Sequence, residues 1–531
     1  MRRHLITASA TLLLGLINAA TAASSNPNLI FILCDDLGYG DVRLLNPEGK
    51  IATPTFDRIG REGMTFTDAH TPSSVCTPTR YGAMTGRYNW RSKLQQGVLG
   101  GLSPRLIEPG RLTLASLLQS KGYRTAAVGK WHLGMDWKLH SGKTVAELNI
   151  ESREQAFSAD FTQPLSNGPR SVGFDHYFGI AASLDMVPYC FIRNERVVDL
   201  PSEDRDLAMN IDNPKAKSRK GPAAPGFRGE DVLDRLIDEA IDFIGQSRTQ
   251  PFFLYLPLAS PHTPILPKPQ WLGKSGINAY ADFVMATDAG VGRLLKHLDE
   301  TQQADNTLII FTSDNGCSPQ ANYDELLAKG HNPSGPWRGH KADIYEGGHR
   351  VPFLVRWPSK VKAGQRTDQL VCLTDIMATA AEILDHPLPA NAAEDSFSFL
   401  PTLTGGQPKG PQRGQLVSHS IGGHFAIREG AWKLALCPGS GGWSKPRPGD
   451  EAAGSPPVQL FNLLQDPGES HNLATEQPEV VKRLTAILKE LIDQGRSTAG
   501  PAQQNAVPVQ MIKPQKEPKK TASKKKTRAQ S

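Results

Sequence analysis

Apolar runs without alternation recur along the chain, and each one stops on polar residues. The stretch Asn28–Asp36 carries Leu29, Ile30, Phe31, Ile32, Leu33 and Cys34 ahead of two adjacent carboxylates, Asp35 and Asp36. Tyr123–His132 closes on Lys130 and His132, Pro251–His262 on His262, and Thr307–Gly316 on Asp314 and Asn315. Such runs predict strands buried on both faces, as in a parallel sheet. Between them the apolar period becomes helical, in Leu112–Gly122 with its closing glycine, in Glu230–Gln246, and in Phe283–Leu298. Strands alternating with helices predict an α/β layer fold with a large, mixed, mostly parallel sheet flanked by helices. Ligands sit beyond the carboxyl ends of strands in such sheets. A lone Asp-Asp is more often a cap or a solvated turn, but four strand ends agreeing on one rim point to a site.

Elsewhere the pattern is weaker. Thr144–Gly229 is irregular and proline-rich, and its charged part, Glu203–Lys220, is expected to be an exposed loop. The Gly/Pro-rich stretch Thr404–Pro411 marks a boundary. Short strands follow at His424–Ile427, Ala431–Leu436 and Val458–Leu464, then a helix over Pro478–Gln494, which together predict a smaller antiparallel sheet with a helix. Beyond Gly500 no apolar period survives, and a disordered basic tail is expected. At the other end, Met1-Arg2-Arg3-His4, an apolar run through Leu16 and Ala20-Thr21-Ala22 have the form of a signal peptide, too short to span a bilayer. The expected organisation is therefore a signal peptide over 1–22, a catalytic domain over 23–403, a C-terminal subdomain over 404–500 and a tail over 501–531, in an exported, periplasmic or secreted protein with no transmembrane anchor.

The formal charge of +6 changes this little, because much of it lies in the tail lysines between Lys513 and Arg528. The body is nearly neutral, which argues against a nucleic-acid partner. Six cysteines, Cys34, Cys76, Cys190, Cys317, Cys372 and Cys437, are widely spaced with no Cys-x-x-Cys. No Asn-x-Ser/Thr acceptor with x other than proline occurs, which leans towards a bacterial source.

One of those cysteines lies in Ser73-Ser74-Val75-Cys76-Thr77-Pro78-Thr79-Arg80, with Thr85-Gly86-Arg87 just behind. Pro78 suits the first turn of a helix over 78–87, with residue 76 at its mouth, where free amides and the dipole favour an anion. Arg80 would add a fork of donors aimed at the same place. For a lone Cys-x-Pro-x-Arg, a buried or disulfide-bonded cysteine is the plainer reading. Together with Gly173-Phe174-Asp175-His176, Gly339-His340-Lys341 and Leu460–Leu473, however, the motif resembles the type I sulfatases, of the alkaline phosphatase-like fold. The fourth motif position is Thr79, where many members carry Ser.

In that family the cysteine is converted by a formylglycine-generating maturation enzyme into formylglycine, whose hydrate attacks a sulfate ester. The resemblance implies Cys76 as that residue, and Asp35, Asp36, Asp314 and Asn315, with residue 76, around one metal. An all-oxygen set without histidine suits Ca²⁺ ahead of Mg²⁺. It further implies that Lys130, Lys341 and Arg80 hold the sulfate, that Asp314 takes the nucleophile's proton, and that His262 and Lys341 face the leaving oxygen. His132 would deprotonate the second hydroxyl to release sulfate. The implied substrate is a sulfated carbohydrate, with aryl sulfates as surrogates. A phosphodiester or phosphonate ester hydrolase of the same superfamily and a non-catalytic binder of sulfated glycan are the alternatives.

Overall fold

A computed structural model describes residues 26–143, 145, 152–452 and 454–514. The signal-peptide stretch and the tail from residue 515 lie outside the described residues. A ten-stranded sheet forms the body, in the order Gln365–Thr367, Met64–Phe66, Phe353–Arg356, Thr307–Ser313, Asn28–Asp35, Phe252–Pro261, Arg124–Lys130, His176–Ile180, Ile192–Arg193, Arg196–Val197. Its middle is parallel. Asn28–Asp35 pairs on one side with Thr307–Ser313 and on the other with Phe252–Pro261, which in turn pairs with Arg124–Lys130. The four apolar runs that end on polar groups are therefore neighbours with their carboxyl ends on one rim. Phe353–Arg356 runs antiparallel, and the sheet is mixed.

The helices cover this sheet as their stripes require. Val232–Gly245 buries Val232, Leu233, Leu236, Ile237, Ala240, Phe243 and Ile244, and Ala279–Glu300 lies beside it. Every residue of Phe252–Pro261 is buried, which is what an unalternated strand between two layers must achieve. Gly129 and Gly179 let strands close up near the rim: a Cβ on Gly129 would lie 1.9 Å from the Pro257 carbonyl oxygen.

The smaller unit is a four-stranded antiparallel sheet, Gln415–His419, Phe425–Glu429, Trp432–Ala435 and Gln459–Asn462, under the helix Pro478–Gln494. Its edge strand Gln415–His419 was absent from the sequence expectation, being short and half polar. Three further expectations change. His176–Ile180 joins the main sheet parallel to Arg124–Lys130 within the stretch read as irregular. The charged Glu203–Lys220 stretch, although largely exposed, begins a paired hairpin of Glu203–Arg205 with Gly221–Ala223 whose tip docks on the end of the His262 strand, with the Ile211 amide donating to the Ile265 carbonyl.

Residues 501–514, expected to be disordered, instead run back over the body. The Ala506 amide donates to the Arg91 carbonyl, Arg87 donates to the Gln504 carbonyl, and Val509 and Met511 pack on the small sheet's core. Buried Arg87 donates to the Gln504 carbonyl and buried Arg91 to Asn505 Oδ1, a long-range demand that local composition does not reveal. All six cysteines are buried and unpaired. No helix among the described residues is long and apolar enough to cross a membrane.

Candidate active site

The nucleophile motif forms the helix Cys76–Thr85, ended by Gly86 at φ 65°. Cys76 is its first residue, so the helix starts two residues earlier than Pro78 suggested, and Pro78 still falls in the first turn. All ten residues are buried. The approach to Cys76 is fixed by the Thr79 hydroxyl donating to the Ser73 carbonyl at 3.0 Å and the Ser74 amide donating to the His419 carbonyl at 3.0 Å.

Around that helix mouth the rim supplies three carboxylates and their counter-charges, all buried. Lys130 Nζ reaches Asp35 Oδ2 at 2.5 Å, and Lys341 Nζ reaches Asp36 Oδ1 at 2.8 Å. Arg80 donates through Nε and Nη2 to Asp314 Oδ2 at 3.0 and 2.7 Å, and through Nη1 to the Lys130 carbonyl at 3.0 Å. Three of the five Arg80 N–H groups are thus engaged by protein acceptors, so Arg80 braces Asp314 and the Lys130 backbone. Asn315 Nδ2 donates to Asp36 Oδ1 at 2.7 Å, which turns the amide oxygen the other way.

Two oxygens are left over. Asp35 Oδ1 and Asn315 Oδ1 are buried without a hydrogen-bond partner. Orphaned buried acceptors are costly unless a ligand satisfies them. One donor atom each from Asp35, Asp36, Cys76 and His262 lies within 4.8 Å of all the others. The two carboxylates of that group, with the unpartnered Asn315 Oδ1 beside Asp36, are oxygen donors that fit a hard divalent cation. Burial alone would raise Asp35, but Lys130, His262, Arg80 and Lys341 together hold it well below the carboxylate range. Burial and the adjacent Asp35 push Asp314 up to about 6.

The two histidines are oriented by carbonyls. His132 Nε2 lies 2.6 Å from the Leu99 carbonyl and must carry the proton, which leaves Nδ1 as a bare lone pair, buried and without a partner. Burial, then Lys130 and Arg80, hold His132 well below its ordinary value. His262 Nδ1 donates to the Thr263 carbonyl, so Nε2 faces Asp36 Oδ2 at 3.7 Å. Burial and Lys341 lower His262, but Asp36 and Asp35 outweigh them and push it up to about 9. One imidazole is thus a neutral acceptor and the other a cationic donor.

Backbone strain marks the same place. Asp36, His132 and Ala342 lie in the left-handed region, at φ 64°, 54° and 79°. Each such residue costs on the order of 1 kcal/mol or more and persists where its surroundings over-determine it. All ten residues singled out from the sequence converge here. The Leu99 and Thr263 carbonyls, which set the histidine tautomers, carry no sequence signal because any residue offers a carbonyl. Ser183 also has a buried, unpartnered hydroxyl, in the loop following the His176–Ile180 strand.

A second buried cluster, His70, Glu346 and His349, also has its donor atoms within 4.8 Å of one another. Its lone pairs are taken. Lys433 Nζ lies 3.1 Å from His349 Nε2, His349 Nδ1 lies 3.0 Å from His70 Nδ1, and His70 Nε2 lies 2.8 Å from Asp68 Oδ1. Asp68 can only accept, so the protons order themselves along the chain from Lys433 to Asp68 with both rings neutral. Lys433 and Arg350 also bind Glu346, at 3.0 Å each.

The rim gathers three carboxylates, two lysines and two histidines around a cysteine at a helix start, and comparison with known proteins gives the family to which this site belongs. The Sulfatase family model matches residues 27–386, and the chain belongs to the sulfatase family. It is 34% identical over 504 residues to an N-acetylgalactosamine-6-O-sulfatase of Bacteroides thetaiotaomicron, covering 88% of this chain and 93% of that one. It is 31% identical over 516 residues to human arylsulfatase A, covering 91% and 92%. Among solved structures, a Bacteroides thetaiotaomicron protein from work on the metabolism of multiple glycosaminoglycans superposes with a TM-score of 0.74 at 32% identity, covering 88% of this chain and 99% of that one. The protein is a sulfatase, a sulfuric ester hydrolase.

Proposed function

We propose that the protein hydrolyses sulfate monoesters on a sulfated carbohydrate, a 6-sulfated amino sugar being the first to test, with a formylglycine made from Cys76 and one Ca²⁺. The carbohydrate reading is supported by the relative named as an N-acetylgalactosamine-6-O-sulfatase, which is 34% identical to this chain. The observation that carries the chemistry is the pair of orphaned oxygens, Asp35 Oδ1 and Asn315 Oδ1, beside a buried Cys76 at a helix start. Asp35, Asp36, Asp314, Asn315 and residue 76 would hold the cation, which when bound supplies Lewis-acid polarisation of a sulfate oxygen. Formylglycine at position 76 supplies a hydroxyl nucleophile that cysteine does not.

The side chains divide the remaining work. Lys130 and Lys341 present fixed positive charge to the sulfate oxygens. Asp314, braced by Arg80, accepts the nucleophile's proton. His262 Nε2, cationic between Asp36 and Lys341, gives a proton to the leaving sugar oxygen, with Lys341 beside it. His132 Nδ1, unprotonated because Nε2–H is tied to Leu99, accepts the proton of the second hydroxyl as sulfate departs. The leader over 1–22 makes an exported location part of the same reading.

Mass spectrometry of the tryptic peptide Glu62–Arg80, from protein produced with a formylglycine-generating enzyme, should find the aldehyde at residue 76. The same protein should release sulfate from N-acetylgalactosamine 6-sulfate and contain one calcium per chain. Sulfate release by a Cys76→Ala protein would overturn this chemistry.

A further inference from the structure

We propose that the cavity between the C-terminal segment and the turn Lys93–Gln96 is a second anion subsite, which holds the carboxylate or sulfate of the sugar adjoining the one being desulfated. This rests on the carbohydrate reading above. The cavity measures about 710 Å³, within the ~300–1,000 Å³ of small-molecule sites. Lys93, Gln96, His424, Gln510 and Lys513 line it with donors, against a single acidic residue, Glu451. One Glu451 oxygen is already engaged, accepting the Gly449 amide at 2.7 Å. Among the described residues neither Lys93 nor Lys513 forms an ion pair, and both line the same cavity. Two unmatched ammonium groups facing one concave space favour an anionic ligand.

The wall that carries Lys513 is firmly held. Gln95 Nε2 donates to the Pro508 carbonyl at 3.1 Å, Arg91 donates to Asn505 Oδ1 at 3.2 Å, and Lys513 Nζ sits 5.9 Å from the centre of the Phe425 ring. Lys513 is half-buried, and burial lowers its ammonium below the ordinary lysine value, so a bound anion would relieve it. On the other wall, Gly423 at φ 76° allows the turns to meet: a Cβ there would lie 2.5 Å from the Gln95 carbonyl oxygen.

The wall of this cavity is tied by backbone hydrogen bonds to the segments that carry the catalytic rim. The Gly97 amide donates to the Ile421 carbonyl at 2.8 Å, the Ile421 amide to Ala342 at 3.0 Å, and the Ala342 amide to Ser74 at 2.9 Å, two residues before Cys76. Leu99 touches both ends of the chemistry, its amide on Thr77 Oγ1 at 3.2 Å and its carbonyl on His132. Gln96 on the cavity wall is three residues from Leu99, at most about 10 Å along an extended chain. An oligosaccharide with its sulfate beside Cys76 can therefore extend a neighbouring ring towards Lys93 and Lys513.

The test compares kcat/KM for a 6-sulfated monosaccharide with three 6-sulfated disaccharides whose second sugar carries a uronate, a second sulfate or no charge. Wild-type protein should prefer a charged disaccharide to the neutral one, and the arm preferred identifies the anion. In Lys93→Ala/Lys513→Ala protein that preference should fall about tenfold, through KM, and lose its dependence on salt. Binding of the charged disaccharide to Cys76→Ala protein, measured by calorimetry, should weaken about tenfold with the same two substitutions and reads the subsite without turnover. If no substrate releases sulfate but binding still depends on Lys93 and Lys513, the activity assignment fails and the subsite stands. If sulfate is released and neither preference nor binding responds to the two lysines, the subsite is wrong. Equal wild-type turnover of charged and neutral disaccharides would also overturn it.

Discussion

Two clusters of buried charge lie in this molecule, and their difference separates a place where something binds from a place where the chain binds itself. The rim cluster has three carboxylates, Arg80, two lysines and two histidines, yet leaves Asp35 Oδ1, Asn315 Oδ1 and His132 Nδ1 without partners. The second cluster has a similar inventory, drawn from Asp68–His70, Glu346–Arg350, Arg428, Lys433 and Glu469, and links the main sheet to the small one. There each imidazole nitrogen finds a counterpart, and even Glu469 Oε1, poorly aligned for a hydrogen bond, lies 2.8 Å from Lys433 Nζ. Residue types alone do not distinguish the two. The count of unsatisfied atoms does, because a buried polar group left unpaired is costly unless a ligand completes it.

Substitutions should split accordingly. Cys76→Ala removes the nucleophile and should take turnover below detection while the melting temperature holds, since the residue is small and the helix remains intact. His132→Gln keeps a polar side chain but loses the imidazole base; turnover should fall roughly 10²–10⁴-fold, with modified enzyme accumulating in single-turnover mass spectra. In the second cluster, Lys433→Met strands Glu346 and Glu469 without their shared cation. It should cost about 3–5 kcal/mol of stability in denaturant titration, at unchanged kcat per folded molecule. Loss of kcat with intact stability in Lys433→Met would break the comparison.

A smaller effect comes from pH. Burial pushes His70 below its ordinary value, and burial with Lys433 pushes His349 well below. Groups with depressed folded values bind fewer protons in the native than in the unfolded state. Their stabilisation is complete above about pH 6.5 and is lost as pH falls below it. Protonating His70 also breaks the Nδ1–Nδ1 bond, and protonating His349 breaks the bond from Lys433 to its Nε2. Thermal melts from pH 7.5 to 5 should show a decline of roughly 1–3 kcal/mol, and His349→Gln should flatten it.

The parallel centre of the sheet could be read from the sequence because a strand buried on both faces must be apolar throughout, as Phe252–Leu258 nearly is. The rim followed, since consecutive parallel strands put Asp35, Lys130, His262 and Asp314 at one edge whatever their rotamers. Side-chain direction did not follow. Arg80 reads from the sequence as an anion clamp, whereas the structure also shows it donating to Asp314 Oδ2 and the Lys130 carbonyl. The second cluster escaped notice because five separated segments contribute one to three charged side chains each, none with a spacing that announces the others. The order of residues 501–514 escaped for a related reason: what holds them is a need of Arg87 and Arg91, some four hundred residues away in sequence.

That distance also sets a clock. Cys76 is only 2% exposed once the protein is folded, and the arginines that follow its helix find their last acceptors at Gln504 and Asn505. At about 5–20 residues per second, the ribosome takes roughly 20–80 s to travel from one to the other. During that interval the arginines that follow the nucleophile helix lack their final acceptors, so the packing behind Cys76 is completed only by the last residues described.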